Sequence, residues 1–202
     1  MIIKIHPENP QPRLIKKASQ TLQDGGIVVF PTDTKYSVGC DIFNKKAVEK
    51  LYQILHADKM KLFSVICTNF SELSKYAQID NFAFKVMHQH LPGPYTFILS
   101  GRRILPKITL SKRKTIGLRM PDNKILLDLG KEYSGPILSA GIQGNNHGEH
   151  LDLWGVEKDL GHKIDLIIDG GLIPVADSSI IELIDDQVNV IREGKGDIGW
   201  FQ

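Results

Sequence analysis

The chain has 202 residues, 42% of them hydrophobic and 24% charged, and a formal net charge of +2. These values suit a single domain spanning 1–202 with a largely aliphatic core, and so small a net charge says little about partners. No apolar run approaches the roughly 20 residues that cross a bilayer. The N-terminal MIIKIHPENPQPR lacks the apolar length and small-residue site of a secretory signal, so a cytoplasmic location with no membrane partner is expected. In chain order, Pro12–Gln23 reads as a helix with Leu14, Ala18 and Leu22 on one face, stopped by Asp24-Gly25-Gly26. Ile27–Phe30 is a continuous apolar run ending at Pro31, which predicts a strand buried on both faces. A second strand is expected around Ser37–Cys40, followed by a helix capped by Asn44 and running to about Leu55.

Phe63–Cys67 reads as the next strand, Ser71–Ala77 and Asn81–His90 as two helices, and Tyr95–Ser100 as the strand released by Pro92-Gly93-Pro94. Beyond a basic loop come strand Thr115–Arg119, a helix from Asn123 to about Lys131, and strand Pro136–Ala140. Gly141–His150 is glycine-rich and polar, the best candidate for a mobile loop. Helix Leu153–Leu160, strand Asp165–Ile168, the turn Asp169-Gly170-Gly171, and strands Ser179–Ile184 and Val188–Arg192 complete the chain. Strands and helices interleave irregularly. The expected class is therefore α/β, a mixed, twisted, open sheet with helices on both faces.

Neither a GxxxxGK[ST] loop nor a GxGxxG after the first strand is present. Pro31-Thr32-Asp33-Thr34, at the end of a buried strand, reads either as a ligand-binding loop or as a turn held by its own side chains. Thr115 and Arg119 are four apart on one strand and so share a face. A buried arginine there calls for an anionic ligand or an internal carboxylate. Ser178 and Arg192 stand near neighbouring strand ends, again a hydroxyl and a guanidinium, with a surface arginine as the alternative. Asp185-Asp186 reads as a turn between two strands. Cys40 and Cys67 lack metal-ligand spacing and read as buried structural thiols, and the seven histidines show no metal pattern, so no protein-bound structural metal is expected. From Gly101 to Met120 the chain carries seven Lys and Arg and no acid, a source of local positive field.

In this order, the segments GGIVVFPTDTKYSVGCD, NKKAVEKLYQIL, LPGPYTFIL, TIGLRMPDN, GPILSA, DLIIDGG, SSIIELI and VIREGKGDI resemble the YrdC/YciO family, whose founding activity is threonylcarbamoyl-AMP synthase. The strings KRKTIGLRMP and SELSKYA resemble the YciO branch. The resemblance implies a YrdC-like fold with an open basic cavity. It also implies ATP, L-threonine and bicarbonate as substrates, Mg-ATP as the nucleotide form, and threonylcarbamoyl-AMP and pyrophosphate as products, in the service of tRNA modification. Thr32 then matches the threonine that holds the amino acid, Arg119 the arginine on its carboxylate, and Ser178 a serine facing it. Thr115 and Arg192 match nucleotide-side positions.

The family's KxR motif falls here on Leu55 and Ala57, with Lys59 and Lys61 just beyond as the expected replacements in charge. Its SAN signature falls on Gly141 and Gln143, leaving Ser139 and Gln143 as nucleotide-side hydrogen-bonding candidates, and the aspartate of its STVVD strand is Glu182. Three readings stay open: a divergent threonylcarbamoyl-AMP synthase-like nucleotidyltransferase, a non-catalytic nucleotide- or double-stranded RNA-binding protein using the cavity with Lys112, Arg113 and Lys114, and a related enzyme with another acid acceptor.

Overall fold

The computed structural model describes residues 1–56, 63–142, 146–147, 150–173 and 175–201, with backbone only at 146, 147 and 150. The strands are β1 (Ile2–Lys4), β2 (Val28–Phe30), β3 (Ser37–Asp41), β4 (Ser64–Ile66), β5 (Tyr95–Ser100), β6 (Thr115–Arg119), β7 (Ile137–Gly141), β8 (Asn146–His147), β9 (His150–Leu151), β10 (Leu166–Asp169), β11 (Ser179–Ile184) and β12 (Gln187–Arg192). The helices are α1 (Pro12–Gln23), α2 (Lys45–Ile54), α3 (Phe70–Tyr76), α4 (Asn81–His90), α5 (Lys124–Tyr133) and α6 (Leu153–Leu160).

Local chemistry sets the helix starts. Pro12 stands in the first turn of α1, where its missing N–H costs nothing. Side-chain oxygens of Asn44, Asn69, Asp80 and Asn123 each accept from a backbone N–H of the helix they cap. The turn between β11 and β12 is Asp185-Asp186, both at positive φ, as a two-residue hairpin of right-handed strand twist requires. Most expected elements form within a residue or two of their predicted bounds. One element that was not expected is β1, which pairs parallel to β10 at the sheet edge. It is only three residues long, too short for a period-2 pattern to register. The candidate mobile loop contains the β8–β9 pair, and 143–145 and 148–149 of it lie outside the described residues.

Ten strands form one mixed sheet in the order β1-β10-β2-β3-β7-β4-β6-β5-β11-β12. Four neighbouring pairs are parallel and five antiparallel. Alternation along the strands divides the apolar residues between two faces. Val28, Phe30, Ile66, Ile137, Leu166 and Ile168 pack against Ile15, Ala18 and Leu22 of α1 and Ile125, Leu126 and Leu129 of α5. On the other face Val29, Val65, Phe97, Leu99, Ile116, Leu118 and Ile181 pack under residues of α2, α3, α4 and α6. Both faces carry helices, but not equally. α1 and α5 cover only the half of their face near β10, β2 and β7.

The reason lies in the strands. Directly paired residues share a face, and register aligns Gly39 with Ser139, Ser139 with Ser64, and Ser64 with Gly117. This transverse row of small side chains gives a helix nothing to pack on, and β5, β6 and β11 continue the same face with Thr96, Arg119 and Ser178 nearby. The uncovered half becomes a cavity.

Tyr36 ties the loop before β3 to the turn after β10. Its hydroxyl donates to the Gly171 carbonyl (2.6 Å) and accepts from Gly170 N–H (3.1 Å). Burial pushes this phenol up to about 12 and the Cys40 thiol up to about 12. Their unfolded counterparts titrate near pH 10 and 8.5, so in alkali the unfolded chain loses protons that the folded one keeps. Stability should fall progressively from about pH 9 to 12. Urea unfolding at pH 7, 9.5 and 11 checks this, and an unchanged midpoint across the series would contradict it.

Candidate functional site

The uncovered part of the sheet forms a cavity of about 300 Å³ lined by Ser64, Thr96, Ile98, Gly117, Ser139 and Ile180 of the strands, with Lys35, Asp177, Ser178, Arg119 and Arg192 among the polar side chains around it. Arg119 ends β6 and is 7% exposed. One of its terminal nitrogens, Nη2, donates to Asp33 Oδ1 (3.0 Å) and Thr34 Oγ1 (3.1 Å), and its Nε is buried with no partner among the described residues. Asp33 is equally buried and takes a further hydrogen bond from Asp122 N–H. Burial lowers the Arg119 pKa and raises that of Asp33, each against the attraction of the other. The pair is thus held at a desolvation cost that one hydrogen-bonded ion pair does not fully offset.

Thr32 is fully buried, and its hydroxyl serves the turn. It donates to the Lys35 carbonyl (2.6 Å), accepts from the N–H groups of Thr34 and Lys35, and lies 3.0 Å from Thr34 Oγ1. It shapes the loop that presents Asp33, Thr34 and Lys35 and does not line the cavity. Both sequence readings of this segment therefore hold a part: the loop is a side-chain-held turn, and it stands at the cavity.

Ser178 Oγ lies 2.8 Å from Thr96 Oγ1 and accepts from Arg192 Nη2 (3.2 Å), while Arg192 Nε and Nη2 both donate to the Ser178 carbonyl. Arg192 also lies 3.9 Å from Asp177. It is a cavity residue anchored to the strand end, not a free surface arginine. Ser139 lines the cavity beside Ser64. Thr115 shares the Arg119 face, as its spacing predicts, but stands at the opposite end of β6, where its hydroxyl lies 2.7 Å from Ser111 Oγ and away from the cavity lining. Arg113 reaches Glu182 of β11 (2.8 Å), with Lys112 and Lys114 exposed on the same loop. Gln143, Lys59 and Lys61 lie outside the described residues. Leu55, at the first KxR position, packs against the core.

Three charged residues escaped the sequence reading. Lys35 Nζ bridges to Asp177 Oδ1 (2.5 Å), and that contact is the main reason the Asp177 carboxyl is held below the usual range. Lys195 Nζ donates to the Asp33 carbonyl (2.6 Å). None follows a periodic pattern, because each sits in a loop whose partner is remote in sequence. Arg119, Arg192, Lys35 and Lys195 thus surround two carboxylates, Asp33 and Asp177. The excess positive charge, focused in a concave site with hydroxyls on its floor, suits an anionic ligand.

Fold and cavity define the class: a mixed-sheet protein whose half-open face forms a polar, cation-rich cavity. The Sua5/YciO/YrdC family model, described as "Telomere recombination", matches residues 20–194, and the chain belongs to that family. It is 41% identical over 200 residues to YciO of Escherichia coli, spanning 98% of this chain and 97% of that one. The crystal structure of E. coli YciO superimposes with a TM-score of 0.92, covering 100% of this chain and 99% of the other. The threonylcarbamoyl-AMP synthase of Coxiella burnetii is 27% identical over 161 residues, 79% of this chain and 87% of its own. P. abyssi Sua5 complexed with L-threonine is 26% identical with a TM-score of 0.86, covering 96% of this chain and 57% of that protein.

Truncating Asp33 strands Arg119 in a buried position. Asp33→Ala should lower stability by about 3 kcal/mol, the usual cost of breaking a buried pair from one side. Added phosphate should recover part of the loss by mass action if the vacated guanidinium takes an anion. Urea denaturation with and without phosphate measures both effects. A variant as stable as wild type would show that the pair is not a structural requirement.

Proposed function

We propose that the cavity binds ATP and L-threonine and, with bicarbonate, forms threonylcarbamoyl-AMP and pyrophosphate. The observation that carries this reading is the excess of Lys35, Arg119 and Arg192 over Asp177 in the lining of a hydroxyl-bearing concave site. Similarity to a relative complexed with L-threonine and to a threonylcarbamoyl-AMP synthase supports the choice of ligands.

In this reading Arg119 meets the amino-acid carboxylate, and Ser178 and Thr96 supply hydroxyls close by. The threonine amine takes up bicarbonate with loss of water to give a carbamate. A carbamate oxygen then attacks the α-phosphorus as the bond to pyrophosphate breaks. Such a transfer depends on positioning and on neutralising the charge that builds on the leaving pyrophosphate, a role the cavity cations fit. In this reading Mg²⁺ comes with the nucleotide as Mg-ATP; Asp177 of the cavity and the nearby Asp33 are each engaged by a cation.

Leu55 turned into the core removes one cationic position of the KxR motif. Each lost charge-assisted hydrogen bond is worth roughly 1.5–3 kcal/mol, so loss of two slows turnover on the order of a hundredfold or more. A nucleic-acid reading draws less support. Arg113 is tied to Glu182, which leaves the Lys112–Lys114 run with less available charge than its sequence suggests.

Incubation with ATP, bicarbonate and L-threonine should give slow threonylcarbamoyl-AMP and pyrophosphate, detected by mass spectrometry. Arg119→Ala should abolish both. Product no greater than in that variant would overturn the synthase reading.

A further inference from the structure

Gly141 leaves room for the Lys35 stem at the cavity edge. The loop that Thr32 organises delivers Lys35 beside the end of β7, where Ser37 pairs with Gly141. A Cβ added at Gly141 would stand 3.0 Å from both Cδ and Cε of Lys35, so a side chain there would press on the lysine stem. The absence of that side chain leaves Lys35 a path across the strand and into the cavity lining. Its ammonium then meets Asp177, a half-exposed carboxylate that also faces Arg192. The geometry is that of a cation held inside an anion site by a removable internal anion.

We propose that Lys35 is a phosphate-binding residue of the cavity and that Asp177 occupies its ammonium when no ligand is present. The proposal rests on the nucleotide-binding reading above and deepens it: the charge missing at Leu55 is supplied instead by a lysine in the loop before β3. A compact ammonium on a flexible stem suits a phosphate oxygen, where no forked geometry is needed. Phosphate then competes with Asp177 for Lys35. The bridge to Asp177 is partly exposed and therefore weak enough to exchange.

A purely structural bridge between the Lys35 loop and the β10–β11 connection predicts something different. Losing either partner would then loosen the loop and lower or leave unchanged the affinity for anions. Competition predicts opposite signs for the two substitutions.

Calorimetric titration of the full chain with pyrophosphate separates these cases. Lys35→Met should weaken binding roughly tenfold or more, the loss of one charge-assisted hydrogen bond. Asp177→Asn should tighten it by about threefold, the release of a partly exposed bridge. The double variant should bind no better than Lys35→Met alone, because Asp177 acts through Lys35. Gly141→Ala, which crowds the lysine stem, should weaken binding in the same direction as Lys35→Met.

Wild type that binds no pyrophosphate overturns both this proposal and the nucleotide reading. Wild-type binding with an unchanged Lys35→Met overturns the role of Lys35 alone. So does an Asp177→Asn gain that persists in the double variant, which would assign the effect to the general field on Arg119 and Arg192. A gain of affinity in Asp177→Asn cannot arise from misfolding, so the test holds even where Lys35→Met is poorly folded.

Discussion

A guanidinium at the end of a buried strand has to be accounted for, and the architecture around Arg119 is what that requirement produces. Placed on the same face as Ile66 and Ile137, the charge needs both a carboxylate and a route to solvent or ligand. Asp33 supplies the first, and its position depends on the Thr32-centred turn that follows β2. The uncovered sheet face supplies the second. Loop, strand and cavity are therefore coupled through one ion pair, and the guanidinium still bears a burial cost that an incoming anion would reduce.

The open face is a packing consequence as much as a functional one. Helices α1 and α5 stop where Gly39, Ser139, Ser64 and Gly117 line up across four strands. Large aliphatic residues in that row would have drawn a helix over the site, as they do a few ångströms away at Ile66 and Ile137. Small and hydroxylated side chains instead leave a floor that can hydrogen-bond to a ligand. Charges are then added from the rim by residues in loops and at strand ends, so ligand specificity can change without disturbing the sheet.

Much of this was legible in the sequence. Continuous apolar runs such as Ile27–Phe30 and helical spacing such as Val48, Leu51 and Tyr52 gave the elements, because burial imposes period and length together. Arg119, Ser178 and Arg192 stood out because polar groups interrupt apolar strands. The same logic extends to Ser64, Thr96, Gly117 and Ser139, whose alternation with buried Val65, Phe97, Leu118 and Leu138 marks an uncovered face. Thr32 was legible as a ligand-holding residue or as part of a turn, and its hydroxyl is engaged within the turn; the two roles look alike in sequence. Lys35, Asp177 and Lys195 were not readable. Their significance comes from loops brought together only by the sheet order, and β1 escaped because three residues carry too little pattern.

The central claim is that one cavity receives both an amino acid, through Arg119, and a phosphate-bearing nucleotide, through the cations of its rim. A crystal structure of the chain with L-threonine and a non-hydrolysable ATP analogue tests it most directly. The account predicts the amino-acid carboxylate against Arg119 and a phosphate within hydrogen-bond distance of Lys35, with Asp177 displaced from the ammonium. Ligands bound elsewhere, or a cavity left empty with Lys35 still closed on Asp177 at saturating ligand, would contradict it.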